Sequence, residues 1–377
     1  MSDGRVPGLR ERLWWSTSPS GGDRLLAAPL LLAEGIFRGA AAARGALYDS
    51  GVLSATRAGV PVISVGNLAV GGAGKTPVAL AIAGRLVDLG RRPAVLSRGY
   101  GAARSDDRVV SDGERLLLDA AGGGDEPVQM ARRIPGLRVL CGANRARLAP
   151  RAVALGADVL LLDDGFQHRR LARDLDVVVL DASNPWGNGH CLPAGPNREP
   201  PSALGRAGLV WLTHADRATL PALEELRALA ARTTGRAPVE SRHAPRDLAD
   251  GRLERAFPLP DLAGRRVGLL TGVARPGSVQ RTVESLGAAV IAASAFPDHH
   301  RFTEADVAEA LRSSEKAGAE LLVTTEKDAV RLPDGVAGDP RIRVVRIDVE
   351  VLRGDEVLAA ALDGALRGGA PGRGKAG

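Results

Sequence analysis

Val70-Gly71-Gly72-Ala73-Gly74-Lys75-Thr76-Pro77 is the stretch on which the fold turns. Ahead of it, Pro61-Val62-Ile63-Ser64-Val65-Gly66 reads as a short buried strand. Behind it, Pro77-Val78-Ala79-Leu80-Ala81-Ile82-Ala83-Gly84-Arg85-Leu86 reads as an amphipathic helix. Strand, glycine-rich turn, Lys-Thr and helix is the order in which backbone N–H groups and a helix N-terminus hold a polyphosphate. The glycines let the main chain approach phosphate oxygens and take positive φ. Lys75 is spaced to reach the β- and γ-phosphates of a nucleotide, and the Thr76 hydroxyl to bind Mg²⁺. Pro77 suits a first helical turn, where its missing N–H costs nothing. The strict motif asks for glycine where Ala69 stands, and a Gly-Lys-Thr triplet alone is weak evidence. The weight therefore rests on the flanking strand and helix; the alternative is a glycine-rich structural turn. Lysine is also scarce. Of the 50 Lys and Arg residues only Lys75, Lys316, Lys327 and Lys375 are lysine, so a lysine in this loop carries information that single arginines do not.

With 377 residues the chain has room for two domains. Its 45% hydrophobic and 25% charged residues describe a globular protein rather than a disordered one. A formal charge of +6 favours anionic partners. No arginine-rich run is interleaved with aromatics, so nucleic acid is the weakest of them. Cys141 and Cys191 stand in no metal-ligand spacing and read as free thiols of a reducing compartment. No apolar run approaches the roughly 20 residues that span a bilayer. Leu25-Leu26-Ala27-Ala28-Pro29-Leu30-Leu31-Leu32-Ala33 imitates a signal-peptide core. A nucleotide-dependent protein has no use outside the compartment that holds ATP, so that reading is set aside.

Residues 1–57 read as a loose start followed by helix with a break near Pro29, mixing Trp14, Trp15, Leu31, Leu32, Ile36 and Phe37 with Arg24, Arg38 and Arg44. Such a segment lies in a membrane interface or packs on a core. From residue 61, Val/Leu-rich runs at 61–66, 93–97, 159–163, 176–181 and 208–213 alternate with helical patterns, as strands of a doubly wound, mostly parallel sheet do. This predicts a phosphate-loop core domain over 58–240. A polar, Pro- and Arg-rich linker at 241–261 follows. Strands at 266–271, 288–293, 320–325 and 343–348 then predict a smaller α/β domain over 262–366, and 367–377 is compositionally a disordered tail.

Further chemistry gathers at strand ends. Val159-Leu160-Leu161-Leu162-Asp163-Asp164-Gly165-Phe166-Gln167-His168 closes a strand with two carboxylates, and in phosphate-loop proteins such a carboxylate serves the metal. Adjacent side chains on a strand point oppositely, so one carboxylate is expected to face the metal and the other the structure. Gly124-Asp125-Glu126-Pro127 is either a helix N-cap or a catalytic carboxylate. Asp298-His299-His300 suits metal binding or acid–base work, against the blander reading of structural histidines. Ser97-Arg98-Gly99-Tyr100-Gly101 puts Arg98 and Tyr100 at the ligand end of a strand. Arg145 and Arg198-Glu199 are further candidates.

Together these pieces resemble the tetraacyldisaccharide 4′-kinase family. The resemblance runs in order through Ser64-Val65-Gly66-Asn67, the glycine loop, Ser97-Arg98-Gly99-Tyr100-Gly101, Gly124-Asp125-Glu126-Pro127 and Asp163-Asp164-Gly165-Phe166-Gln167-His168. It continues through Leu192-Pro193-Ala194-Gly195-Pro196 with Arg198-Glu199, then Phe296-Pro297-Asp298-His299-His300 and Thr325-Glu326-Lys327-Asp328. It implies an ATP- and Mg²⁺-dependent enzyme. The enzyme would phosphorylate the 4′-hydroxyl of an acylated glucosamine disaccharide 1-phosphate, as a peripheral protein on the cytoplasmic side of the bacterial inner membrane. Carried over by motif, Val70 to Pro77 would bind ATP, with Lys75 on its phosphates. Asp125 would be the base, assisted by His299 or His300 from the second domain, so that domain closure assembles the site. Thr76, Glu126, Asp163, Asp164 and Glu199 would surround Mg²⁺, and Tyr100, Arg145 and Arg198 would contact substrate. Nothing points to a protein partner. The rival readings are a partitioning or metallochaperone ATPase, disfavoured because Val70 stands where those carry lysine, and a kinase of a soluble small molecule.

Overall fold

The structure is a computed structural model that describes residues 13–15, 21–99 and 106–368, without the side chains of 21–28. Tyr100, the first residues of the chain and the expected tail from 369 onward lie outside it. Among the described residues the strands are β1 (Val62–Gly66), β2 (Pro93–Ser97), β3 (Arg108–Asp112), β4 (Arg138–Cys141), β5 (Val159–Asp163), β6 (Leu175–Asp181) and β7 (Leu209–Thr213). They continue as β8 (Val239–Ala249), β9 (Ala256–Phe257), β10 (Arg266–Thr271), β11 (Ala289–Ala295), β12 (Leu321–Thr325) and β13 (Ile342–Arg353). The chain forms two compact units. The first holds the residues up to Ser97, Asn144–Arg242 and those from Val349 on; the second holds Arg98–Ala143 and His243–Asp348.

In the first unit the strand order is β8–β7–β6–β1–β5–β2, and every pairing along it is parallel. Strands β1, β2, β5 and β7 are buried at all five positions, which is why they read as unbroken apolar runs. Removing one such leucine, for example Leu160→Ala, costs about 2–5 kcal/mol by lost transfer energy and cavity formation. Parallel registry sets Val65 opposite Asp163 on one side and Val177 on the other. The carboxyl ends of β5 and β6 therefore flank the loop that leaves β1. Helix Lys75–Asp88 follows that loop and buries Val78, Ala79, Ile82, Ala83 and Leu86. Gly66 is obligatory at the end of β1, since a Cβ there would lie 2.6 Å from the Phe166 backbone nitrogen.

Helix Gly21–Asp49 runs through Pro29 without the expected break. One proline removes one i→i−4 hydrogen bond, and the later turns are held by tertiary contacts. Glu34 accepts hydrogen bonds from the Cys191 N–H at 2.8 Å and pairs with His190 Nδ1 at 2.9 Å. Arg169 bonds Gly45 O and Asp49. Leu32 and Ile36 remain 75% and 71% exposed.

The second unit contains the parallel run β11–β10–β12–β13 and the antiparallel pair β3–β4. Its core includes Leu270, Phe302, Val307, Leu311, Leu322 and Val344. Segment 98–143, assigned from sequence to the phosphate-loop domain, belongs to this unit. The reason is non-local: the Arg133 guanidinium, 4% exposed, pairs with Glu326 at 2.7 Å and with Asp348. The expected linker at 241–261 is instead largely strand β8 with β9 paired to it. Strand β8 is half-exposed in its middle, with Arg242, Arg246 and Pro245 there, so it lacks the apolar pattern of the buried strands. The last helix, Asp355–Gly368, returns to the first unit and buries Leu358, Ala361, Leu362 and Ala365.

Candidate active site

In the first unit the glycine loop is built by its neighbours. Val70 N–H donates to Pro196 O at 2.7 Å, Arg198 N–H donates to Leu68 O at 2.6 Å, and the Thr213 hydroxyl donates to Ala73 O at 2.8 Å. Gly71 and Gly74 take φ of 121° and 81°, the left-handed region that a side chain would oppose. The stitching to 196–198 brings Arg198 and Glu199 beside the loop. Asp164 is the hub of the charges: Lys75 Nζ lies 3.6 Å away, Arg198 donates to both its oxygens at 2.8 and 2.9 Å, and Arg145 donates to its carbonyl at 3.3 Å. Burial raises the Asp164 carboxyl, but Lys75 and Arg198 outweigh it and hold the pKa below the usual carboxylate value. Three cations gathered on one carboxylate leave a local positive excess, which suits a polyphosphate anion.

The two adjacent carboxylates have different neighbours. Asp163 is buried and accepts from the Ser97 hydroxyl at 3.2 Å, while Asp164 faces the loop lysine. Glu199 is gripped by Arg206 through both oxygens at 2.7 and 2.9 Å and by Gln167 at 3.2 Å. Among the described residues no group of three or more His, Cys, Asp or Glu forms a metal cage. Mg²⁺ carried on a polyphosphate takes its oxygens largely from phosphate and water. The hydroxyl of Thr76 and the carboxylates ending β5 are the oxygen donors such an ion prefers. His168, at the end of the Asp-Asp-Gly-Phe-Gln-His block, is pushed down to about 4 by burial and by Arg145 and other arginines, so it is neutral at pH 7.

In the second unit Gly124, with φ of 90°, leads into helix Asp125–Arg133. Asp125 Oδ2 lies 2.8 Å from His299 Nδ1 and 3.6 Å from Arg331 Nε. Asp125 and His299 thus share one compact unit, which corrects the expectation that they meet only by closure of two domains. The sequence could not show this, because 125 and 299 are brought together by the non-local ties of Arg133. His300 turns elsewhere: its Nε2 is 3.1 Å from Asp306, and its ring stacks on Phe296 at 4.5 Å. Glu126 is half-buried on the first turn of the Asp125 helix. Gln167, Arg206, Thr213 and Arg331 carried no role in the sequence reading. Gln167 lies within the Asp-Asp-Gly-Phe-Gln-His block, and Arg206 and Arg331 contact Glu199 and Asp328 of neighbouring motifs, whereas Thr213 reaches Ala73 and had no local signal.

A parallel α/β sheet with a glycine loop, lysine and threonine at a helix start, and carboxylates on the neighbouring strand defines a phosphate-loop nucleotide-binding protein. Residues 26–367 match the family model described as tetraacyldisaccharide-1-P 4′-kinase. The chain is 64% identical over 360 residues to the tetraacyldisaccharide 4′-kinase of Anaeromyxobacter sp. (strain Fw109-5), covering 95% of this chain and 97% of that one. It is 42% identical over 331 residues to the enzyme of that name from Syntrophus aciditrophicus (strain SB), covering 85% and 88%. Among solved structures it is similar to LpxK from Aquifex aeolicus in complex with ATP, with a TM-score of 0.75 and 29% identity, covering 90% of this chain and 99% of that one. The chain belongs to the tetraacyldisaccharide-1-P 4′-kinase family. The partitioning-ATPase reading and that of a soluble-substrate kinase fall to this match.

Proposed function

We propose that this protein transfers the γ-phosphoryl group of ATP to the 4′-hydroxyl of a tetraacylated glucosamine disaccharide 1-phosphate, giving the 4′-phosphorylated lipid A precursor. The observation that carries the reading is the family match over 26–367 in a chain whose glycine loop leads through Gly74 into a helix that opens on Lys75 and Thr76. Residues 70–77 would hold the triphosphate, with Lys75 replacing its contact to Asp164 by contacts to phosphate oxygens. Mg²⁺, held by Thr76 and a carboxylate of the Asp163–Asp164 pair, would supply charge neutralisation on the phosphates. Glu126 is the remaining metal candidate, and Glu199 is better read as a partner of Arg206. Arg145, Arg198 and Tyr100 would contact substrate or phosphate.

A sugar hydroxyl is a poor nucleophile, and phosphoryl transfer depends on alignment and on removal of its proton. Asp125 would take that proton as the hydroxyl oxygen bonds to the γ-phosphorus and the bond to the β–γ bridging oxygen breaks. His299 supports the base. The protein would work from the cytoplasmic face of the inner membrane. Support comes from Leu32 and Ile36, one helical turn apart and exposed on helix Gly21–Asp49. No described helix is long and apolar enough to cross a bilayer.

The test is incubation of the purified protein with γ-labelled ATP, Mg²⁺ and tetraacyl disaccharide 1-phosphate in detergent micelles. Label is expected in the lipid. ATP binding without lipid labelling would sink the reading. Deleting residues 1–57 is expected to abolish flotation with anionic vesicles.

A further inference from the structure

Two tryptophans near the start of the chain, Trp14 and Trp15, are docked within the first unit on the stretch 187–196. Trp14 Nε1 donates to Pro193 O at 3.0 Å, and its carbonyl accepts from Asn188 N–H at 2.8 Å. The Asn188 amide donates to Leu13 O at 2.8 Å and to Ala194 O at 2.9 Å, and Leu13 is buried. Gly187 permits the approach, since a Cβ there would lie 2.6 Å from Trp14 O. The same stretch grips the glycine loop, because Pro196 O accepts from Val70 N–H at 2.7 Å. The Leu192-Pro193-Ala194-Gly195-Pro196 motif, which the mechanism above leaves without a task, therefore ties the tryptophan segment to the phosphate loop.

Trp15 is carried to the loop itself. A Cβ on Gly71 would lie 3.4 Å from Trp15 Cζ2 and 3.9 Å from Cη2, so the six-membered edge of the half-buried indole borders that glycine. Gly71 also marks one end of the phosphate track. Its carbonyl oxygen lies 3.5 Å from Lys75 Nζ, and a loop lysine serves the β- and γ-phosphates. An acceptor hydroxyl has to reach the γ-phosphorus in line with the bond that breaks. A ring held at the γ end therefore borders the path of the acceptor rather than the nucleoside. The indole is a large, rigid, apolar surface with two χ angles to fix, which suits the C–H face of a pyranose ring. Residues 13–15 precede the stretch 26–367 that matches the family model, so this contact lies outside the matched region.

We infer that Trp15 is an acceptor-binding residue: its indole packs on the glucosamine ring that carries the 4′-hydroxyl and holds that ring at the γ end of the phosphate loop. The inference rests on the proposed lipid kinase activity and deepens it by naming a wall of the acceptor site. The Trp14, Leu13 and Asn188 bonds act through Trp15, as the frame that keeps the indole on Gly71. Holding the ring there supplies alignment, on which phosphoryl transfer depends.

The test uses full-length protein in mixed micelles, with initial rates measured against the mole fraction of tetraacyl disaccharide 1-phosphate and, separately, against ATP. Trp15→Leu keeps an apolar side chain but removes the aromatic face. It is expected to raise KM for the disaccharide about tenfold or more, with KM for ATP and flotation with anionic vesicles unchanged. Trp15→Phe, which keeps a ring, should recover most of that loss. A Trp15→Leu enzyme with the wild-type KM for the disaccharide overturns the inference, since the indole is then a buttress or meets only acyl chain. A raised KM for ATP, or lost flotation, overturns it in favour of a nucleotide or bilayer contact. A Trp15→Phe enzyme as impaired as Trp15→Leu also counts against it, because a fold defect and not a lost ring–sugar contact then explains both. Absence of lipid labelling by the wild type sinks the kinase reading itself, whatever the variants do.

Discussion

The phosphate-loop region and the Asp125 region solve the same problem, a charged group held ready for substrate, by different means. Around the loop the holding is done by backbone: glycines in left-handed conformations, parallel strand ends, and main-chain bonds to Pro196, Leu68 and Ala73. Its charges gather on Asp164, which both Lys75 and Arg198 contact. Around Asp125 the holding is done by side chains from three distant stretches, residues 125, 298–299 and 327–331. The lesson is that a site which binds a polyanion can rely on a repeating backbone device. A site that moves one proton needs hydrogen-bond partners whose donor and acceptor roles are fixed one by one.

That contrast can be broken by substitution, beginning with the proton-transfer side. Asp125→Asn keeps shape but removes the proposed base, so transfer to lipid should fall about 10²–10⁴-fold with ATP affinity unchanged. Titrating a fluorescent ATP analogue alongside the transfer assay separates the two. Arg133→Met strands buried Glu326, and losing one partner of a buried pair costs about 3–5 kcal/mol. Urea melts should show that loss, and an unchanged midpoint would mean the second unit is not held as described. Lys75→Ala should reduce transfer about 10²–10³-fold by removing a charge that stabilises the developing phosphate charge. Unlike Asp125→Asn, it should also weaken ATP binding. The smallest effect concerns pH. His168 titrates near 4 in the fold against an ordinary 6.5, so between those values the unfolded chain binds more protons. Stability should fall as pH drops from 6.5 to 4, by up to about 3 kcal/mol from this residue. His168→Gln should flatten that part of the profile in thermal melts.

The same contrast explains what was legible in the sequence. Buried parallel strands leave largely apolar runs, so β1, β2, β5, β6, β7, β10 and β12 could be read directly, while β11 and β13, partly exposed, were read from their alternation with helical patterns. The glycine loop is a contiguous device and was legible too. Strands β3, β4 and β8 were not: Arg108–Asp112 is short and half polar, and β8 carries Arg242, Pro245 and Arg246. Segment 98–143 was assigned to the other unit because nothing local records that Arg133 reaches Glu326 and Asp348. In the candidate site, Asp125 and the His299–His300 pair could be nominated. The separation of His299, on the carboxylate, from His300, stacked on Phe296, depends on a backbone turn that one sequence does not encode visibly.

A chain this poor in lysine has a practical property. Apart from Lys316, each lysine among the described residues belongs to a charge cluster treated above, with Lys75 at 14% and Lys327 at 25% side-chain exposure. Amine-acylating reagents therefore act on this protein almost as site-directed labels. With exposed Lys316 as an internal reference, a mass spectrum of lysine modification with and without nucleotide becomes a footprint of Lys75 and Lys327, obtained on the native chain with no engineered reporter.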